Sequence, residues 1–196
     1  MPAAARVQRD PAEVIYADLM ARSTGAGNAP AFAGMIATRY TGGGALPPWL
    51  GLQPAAFRCL IAHLFPGASA GSLAGRSGPV EGAGWDRRAD EREELVRLML
   101  MHRAGDDPSE VWMAHVVAAG CIASDHLWQD LGLPTRGELT ALMRRNFPTL
   151  AVRNVKDMKW KRFLYKQLCE AEGIYTCRAP SCQVCTDYHA CFGPED

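Results

Sequence analysis

The chain lacks an excess of charge of either sign, because 21 Lys and Arg residues balance 21 Asp and Glu residues. Its net charge therefore indicates neither a nucleic-acid partner nor an acidic one. The N-terminal sequence MPAAARVQRDPAEV has no apolar run suited to secretion. The longest apolar stretch, 111–123, is interrupted by His115 and is shorter than the roughly 20 residues that a membrane span needs. We expect a cytoplasmic protein that binds no nucleic acid and no membrane.

The chain also lacks the alternating apolar and polar runs of strands, and it has no internal repeat. What it has is helical periodicity, so we predict an all-α protein, an irregular helical domain with a C-terminal Cys-rich metal-binding loop. Residues 66–84 are dominated by Gly, Ser, Ala and Pro, which is unusual inside a compact domain. We therefore predict two parts, an N-terminal helical region at 1–85 with Gly- and Pro-rich loops and a helical domain at 86–196 that ends in the cysteine cluster.

Start and stop signals define several of the helices. Asp10 and Pro11 begin a predicted helix at 11–22, and Thr135 with Glu138 forms a capping-box pattern. A helix is predicted to run from Pro108 to about residue 130. Asp157 is predicted to cap the last helix. The apolar residues of that last helix form one stripe, and Gly173 would end the helix: Trp160, Phe163, Leu164 and Leu168.

Seven cysteines, an odd number in a chain without an export signal, indicate reduced thiols rather than disulfides. Four of them fall in the last twenty residues with the spacing C-x4-C-x2-C-x5-C: Cys177, Cys182, Cys185 and Cys191. Thiolates select zinc, copper(I) or iron–sulfur clusters. Zinc sites usually pair two C-x2-C units, whereas the first three cysteines here match plant-type ferredoxin spacing. The spacing predicts a metal site and modestly favours iron–sulfur over zinc, without naming the metal.

Other residues near the cluster have both a functional and an ordinary interpretation. Lys159, Arg162 and Lys166 form one basic helix face, which is more simply a solvated surface. Arg178 lies inside the cysteine loop and could stabilise an anionic cluster. His189 is an extra-ligand candidate, although four thiolates already fill a site, so a solvent-facing histidine is the simpler interpretation.

The remaining cysteines and histidines are predicted to be structural. Cys169 would be a small packed residue, and Cys59 and Cys121 lie in apolar helical settings. Four histidines are predicted to pack in helices rather than to catalyse: His63, His102, His115 and His126. The GSLAGRSG stretch lacks the Lys and the spacing of a phosphate loop. We predict that the protein is not an enzyme.

The segment MKWKRFLYKQLCEAEGIYTCRAPSCQVCTDYHACFG, from Met158, resembles the NifQ family of nitrogen-fixation proteins. That family is marked by this four-cysteine motif after a W-K-x-F-x-Y-x-x-L-C helix. Upstream, DHLWQDLGLPTRGELTALMRRNFPTLAVRN is similar as well, so the resemblance covers roughly residues 90–193.

The resemblance implies a cytoplasmic carrier that binds a molybdenum–iron–sulfur cluster of the Mo-3Fe-4S type and donates molybdenum to iron–molybdenum cofactor biosynthesis. It implies that Cys177, Cys182, Cys185 and Cys191 are the ligands. The implied partners are the nitrogenase cofactor-assembly scaffold and the nitrogenase iron protein, with molybdate or a molybdenum carrier as the metal source.

Two alternatives come from the residues alone. A zinc-stabilised helical protein-interaction module would hold one zinc and unfold on chelation. A thiol redox enzyme would place the C-x2-C at a helix N-terminus after a strand, and no strand is predicted here.

Overall fold

Asp10 begins the first helix of the computed structural model, which describes residues 10–73, 88–171, 173, 188–193 and 195. The Asp10 carboxylate accepts a hydrogen bond from Ala12 N at 3.0 Å, as its position before Pro11 predicts. The Thr135 hydroxyl likewise accepts from Glu138 N at 3.2 Å and starts a later helix. Both helices therefore begin at the capping residues that the sequence predicts.

The described ranges contain helices and no strand, which confirms the all-α prediction. In chain order they are α1 (Pro11–Ala21), α2 (Ala29–Tyr40), a 3-10 turn (Pro48–Gly51), α3 (Pro54–Leu64), α4 (Ala70–Leu73), α5 (Ala89–Leu100), α6 (Pro108–Cys121), α7 (Leu127–Asp130), α8 (Arg136–Asn146), α9 (Pro148–Ala151), α10 (Trp160–Ala171) and α11 (Tyr188–Phe192). None of the helices in these ranges is long and apolar enough to cross a membrane.

The core surrounds α6, which is buried over most of its length because it is apolar on nearly every side. One hydrophobic cluster runs from Leu19 to Leu164 and includes four fully buried phenylalanines: Phe32, Phe57, Phe65 and Phe147. The division at residue 85 stays a prediction, and residues 74–84 of the predicted 66–84 connection lie outside the described ranges.

The prediction of one helix from Pro108 to residue 130 is wrong, because α6 ends at Cys121 and a new short helix begins at Leu127. The chain folds back so that Leu127 and Leu131 pack onto α6 at Gly120. A Cβ on Gly120 would lie only 2.9 Å from Leu131 Cδ2, so the glycine makes this close approach possible. The Gln129 side chain then accepts from His126 N at 3.3 Å.

Asp157 does not cap α10, contrary to the prediction. It adopts a left-handed backbone with φ of +53°, and its side chain pairs with Arg136, 21 residues away in sequence. His102 also departs from the prediction, because α5 ends at Leu100 and His102 Nδ1 instead lies 2.7 Å from Thr149 Oγ1. In both cases a long-range polar partner decides the conformation.

Candidate metal centre

Helix α10 leads into the cysteine segment and is fixed to the core by its apolar stripe. Trp160, Phe163 and Leu164 are buried and Leu168 packs against them, as the periodicity predicts. The helix ends at Ala171, and Gly173 follows with φ of +71°.

Three predicted ligands and one neighbouring cation lie outside the described residues, and their roles stay predictions: Cys177, Cys182, Cys185 and Arg178. The fourth predicted ligand, Cys191, lies in α11, where it is half-buried and packs against the core. Its carbonyl oxygen accepts a hydrogen bond from Lys159 N at 2.8 Å. Cys191 is therefore held beside the N-terminal end of α10. The other three cysteines of the motif follow the C-terminal end of the same helix in sequence.

Arg136 connects Glu195, near the C-terminus, to Asp157. Its guanidinium contacts Asp157, with Nη1 2.5 Å from Oδ2 and Nη2 3.0 Å from the carbonyl oxygen. Its Nε lies 3.4 Å from Glu195 Oε2, and the Glu195 side chain is 5% exposed. His126 Nδ1 lies 4.0 Å from the same carboxylate. The hydrogen bond to Asp157 raises the pKa of Arg136, which keeps the cation between two acidic groups.

One flank of α10 is held by an ion pair between Lys161 and Asp130. The Asp130 side chain is 1% exposed and the Lys161 side chain 17% exposed. Lys161 Nζ also donates to the carbonyl oxygen of Ala123 at 2.7 Å. Because α6 ends before Ala123, this lysine fixes the loop 122–126 against α10. Burial raises the pKa of Asp130, and the hydrogen bond from Lys161 opposes that rise.

The neighbouring turn of α10 is held by Tyr165, whose hydroxyl hydrogen-bonds the Glu91 carboxylate. Arg88 contacts both partners, and its Nε lies 2.7 Å from Glu91 Oε2. Burial, together with the hydrogen bond to Glu91, raises the pKa of Tyr165 above its usual range, so the phenol stays protonated. These contacts join the start of α5 to α10.

The sequence analysis predicts neither the Lys161–Asp130 pair nor the Tyr165–Glu91 pair. The sequence does contain one signal for the first of them. Lys161 stands at i, i+3 and i+7 with Leu164 and Leu168, so it borders the apolar stripe of its helix. A lysine on a buried border needs a charge partner. The partner's identity depends on the fold-back at Gly120, which the sequence pattern did not predict.

The other candidates have mixed outcomes. Cys121 is buried as predicted, and burial raises its pKa to about 12, so it is a protonated structural thiol. Cys169 is half-buried, in line with a packed residue. Cys59 is exposed, so the prediction of an apolar setting is wrong.

His189 is exposed on α11. Lys166 is exposed and lies 3.4 Å from Glu170 Oε1, which agrees with a solvated face.

Two of the histidines that are predicted to pack in helices are exposed instead. His115 is exposed rather than packed, because it lies on the solvent side of α6. His63 is also exposed, although its ring makes an edge contact with Trp112 at a centroid distance of 5.7 Å.

His126 precedes α7 instead of lying on the long apolar helix, and it lines an open polar cleft of about 670 Å³ with Ser124, Asp125, Gln129 and Asp130. Within the ranges that the structure describes, no group of three His, Cys, Asp or Glu side chains is arranged to hold a metal ion.

Replacing Arg136 with methionine should release the C-terminal segment. The variant loses the contacts to Asp157 and Glu195, and we expect a loss of about 1.5–3 kcal/mol in stability, the usual range for hydrogen bonds to charged groups. Hydrogen exchange should accelerate at the Lys159 amide, which donates to Cys191.

The matched control is Arg97→Met, because Arg97 pairs with Glu93 at 3.1 Å with both side chains 68% exposed. An exposed pair of this kind contributes about 0–1 kcal/mol. Unchanged exchange at Lys159 in the Arg136 variant would show that Arg136 does not hold the segment.

Comparison with known proteins gives a consistent family match. A family model described as NifQ matches residues 31–193. Protein NifQ from Azotobacter vinelandii is 48% identical over 167 residues, which cover 82% of this chain and 86% of that protein. A protein NifQ homolog from Sinorhizobium fredii is 43% identical over 109 residues, covering 55% of this chain and 47% of that protein. Protein NifQ from Klebsiella pneumoniae is 41% identical over 109 residues, covering 54% and 62%. No solved structure matches the chain.

The matched range contains all four clustered cysteines and begins well before residue 90, where the resemblance in the sequence begins. Most of α2 and all of α3 therefore belong to the matched region, together with the C-terminal motif.

Proposed function

The chain belongs to the NifQ family of nitrogen-fixation proteins, and on that premise we propose that it carries molybdenum for the iron–molybdenum cofactor of nitrogenase. We propose that Cys177, Cys182, Cys185 and Cys191 hold a molybdenum–iron–sulfur cluster of the Mo-3Fe-4S type. The observation that supports this most directly is that the family match extends through all four cysteines. The protein would act as a metal donor rather than as an enzyme, in the cytoplasm, where thiols stay reduced.

The four cysteine thiolates are suitable ligands for a molybdenum–iron–sulfur cluster. Four thiolates favour soft metals and iron–sulfur species, and a bound cluster would supply sulfide ligands for molybdenum that arrives as oxygen-bound molybdate. The contacts of Cys191 support an anchored ligand, because its half-buried position and the hydrogen bond from Lys159 N fix its backbone. The proposed recipients are the nitrogenase cofactor-assembly scaffold and the nitrogenase iron protein, with molybdate or a molybdenum carrier as the source.

The decisive experiment is anaerobic purification followed by elemental analysis for iron, molybdenum, zinc and acid-labile sulfide. We expect brown protein with iron, sulfide and sub-stoichiometric molybdenum. Colourless protein with one zinc and no sulfide, even after iron–sulfur reconstitution, would favour the zinc-held interaction module instead.

Single Cys→Ala substitutions at the four motif positions should fall into two groups. If one corner of the cluster is exchangeable, three variants lose iron and sulfide, and the fourth keeps iron but loses molybdenum. Cys59→Ala is the control, because Cys59 is an exposed thiol on α3 outside the motif, and it should retain both metals. Equal loss of iron in all four motif variants would rule out a single exchangeable ligand.

A further inference from the structure

Positive charge is concentrated in one stretch of this otherwise neutral chain. Residues 136–166 contain nine of the 21 basic residues but only two of the 21 acidic ones. Of those two, Asp157 is already paired with Arg136, which leaves Glu138. Exposed cations from this stretch include Arg144, Arg153 and Lys156. Lys161 and Lys166 pair with Asp130 and Glu170 outside the stretch. The stretch still carries more cations than anions, although the net charge of the whole chain is zero.

Exposed aliphatic side chains lie within the same region. Val155 is 84% exposed and Val152 is 69% exposed, on the connection between α9 and α10. Met101, 72% exposed, precedes His102, which is hydrogen-bonded to Thr149 at the start of α9. We define the connector surface as Met101, Val152, Arg153, Val155 and Lys156. Exposed apolar side chains that are grouped on one surface and bordered by polar residues are a feature of protein interaction sites, whereas single ones are ordinary.

The turn that presents Val155 and Lys156 is held rigidly from both sides. The Asn154 side chain accepts from Met158 N at 2.8 Å and donates to Met158 O at 2.9 Å. Asp157 keeps a left-handed backbone that non-glycine residues rarely adopt, and Arg136 binds both its carboxylate and its carbonyl oxygen. A fixed turn loses little conformational entropy when a partner binds it, so the connector surface is pre-organised for contact.

The connector surface adjoins the proposed metal centre. The chain passes from Lys156 to Lys159, whose backbone N–H donates to the carbonyl oxygen of Cys191 at 2.8 Å. Arg136 contacts both the turn at Asp157 and the C-terminal Glu195. A protein seated on Val155 would therefore lie next to the segment that carries the last cysteine ligand.

We propose that the connector surface is the docking site of an acidic protein that receives the metal, which deepens the proposed function and rests on it. The occupant presents carboxylates opposite Arg153 and Lys156 and an apolar contact opposite Val152 and Val155. Peripheral charges of this kind speed association and set specificity. Burial of the two valine side chains against the partner would contribute affinity. Aliphatic side chains cannot stack on bases, so a protein fits this surface better than a nucleic acid.

The test measures binding of the full-length, metal-loaded protein to the purified cofactor-assembly scaffold and to the purified nitrogenase iron protein. Val155→Ser should weaken binding to at least one of them about tenfold, in keeping with the loss of a buried valine side chain. Lys156→Glu should slow association several-fold at low salt, and the difference should shrink towards about 0.5 M salt.

Matched controls are Val14→Ser, at an exposed valine of α1, and Arg58→Glu, at an exposed arginine of α3, and both should bind like the parent. Unchanged affinity in the connector variants, binding of neither protein, or binding of a mixed-sequence polynucleotide in preference to both would overturn the proposal. Iron and molybdenum are assayed in every sample. Weak binding of a connector variant with full metal content supports docking. A parent that holds no iron or molybdenum contradicts the proposed function, and equal affinities of parent and connector variants contradict docking.

Discussion

Replacing Lys161 with methionine is expected to destabilise the protein by about 3–5 kcal/mol near neutral pH, the range seen when one partner of a buried ion pair is removed. Asp130 is 1% exposed and would keep its carboxylate without the cation that now contacts it. The backbone carbonyl of Ala123 would lose its donor as well. Equilibrium urea unfolding followed by circular dichroism measures the loss.

The same substitution should make stability depend on pH. Burial already raises the pKa of Asp130 above its ordinary value of 3.8, and without Lys161 that pKa rises further. An acid with a raised folded-state pKa binds its proton more tightly when folded, so stability falls as pH rises from 3.8 through the folded-state pKa. The deficit of the variant should therefore be larger at about pH 7.5 than at about pH 4.5.

Lys166→Met is the control on the same helix. Lys166 pairs with Glu170 at 3.4 Å, and both side chains are nearly half exposed, so its removal should cost at most about 0.5 kcal/mol. Adding Asp130→Asn to Lys161→Met should restore part of the loss, because the buried charge is then gone. Equal losses of stability from Lys161→Met and Lys166→Met would show that the Lys161–Asp130 pair contributes no more to stability than an exposed ion pair.

The sequence predicts features that depend on neighbours along the chain. Asp10 before Pro11 and Thr135 before Glu138 identify helix starts because a cap satisfies amides within three residues. The stripe of α10 is legible for the same reason. The cysteine spacing likewise predicts a metal site, which stays a prediction for all four cysteines.

Features that depend on distant partners were not predicted. Asp157 has the chemistry of an N-cap, yet Arg136 binds it from 21 residues away. After the break that follows Cys121, Leu131 packs against Gly120, where a Cβ would lie only 2.9 Å from Leu131 Cδ2. No local pattern contains this information, because the competing interactions are made only after the helices pack.

The buried amide pair of Asn28 and Asn146 is another such feature, and its removal is the second large effect that we expect. Asn146 is 0% exposed and Asn28 is 6% exposed. Asn28 Nδ2 donates to Asn146 Oδ1 at 2.6 Å, and Asn146 Nδ2 donates to Asn28 Oδ1 at 3.0 Å. Asn28 Nδ2 also donates to Ser109 Oγ at 2.8 Å. The pair joins the start of α2 to the end of α8 and the start of α6.

Asn146→Ala should lower the free energy of unfolding by about 3–5 kcal/mol. It leaves the Asn28 carbonyl oxygen and one amide proton unpaired in the core, at about 1–3 kcal/mol for each group, and it leaves a small cavity. Ser109→Ala is the graded control, because it keeps the amide pair but leaves one amide proton of Asn28 without its acceptor and removes the hydroxyl that hydrogen-bonds Asp107. We expect a loss of about 1–3 kcal/mol, smaller than that of Asn146→Ala.

A double-mutant cycle with Asn28→Ala distinguishes the pair from its surroundings. Once Asn28 is alanine, removal of Asn146 no longer leaves an unpaired amide opposite it, so the two losses should not add. We expect a coupling of about 1–3 kcal/mol, measured by urea unfolding of the parent, both single variants and the double variant. Additive losses would mean that the two amides stabilise the protein independently, and the contact between α2 and α8 would then depend on the apolar core around Phe32 and Phe147 alone.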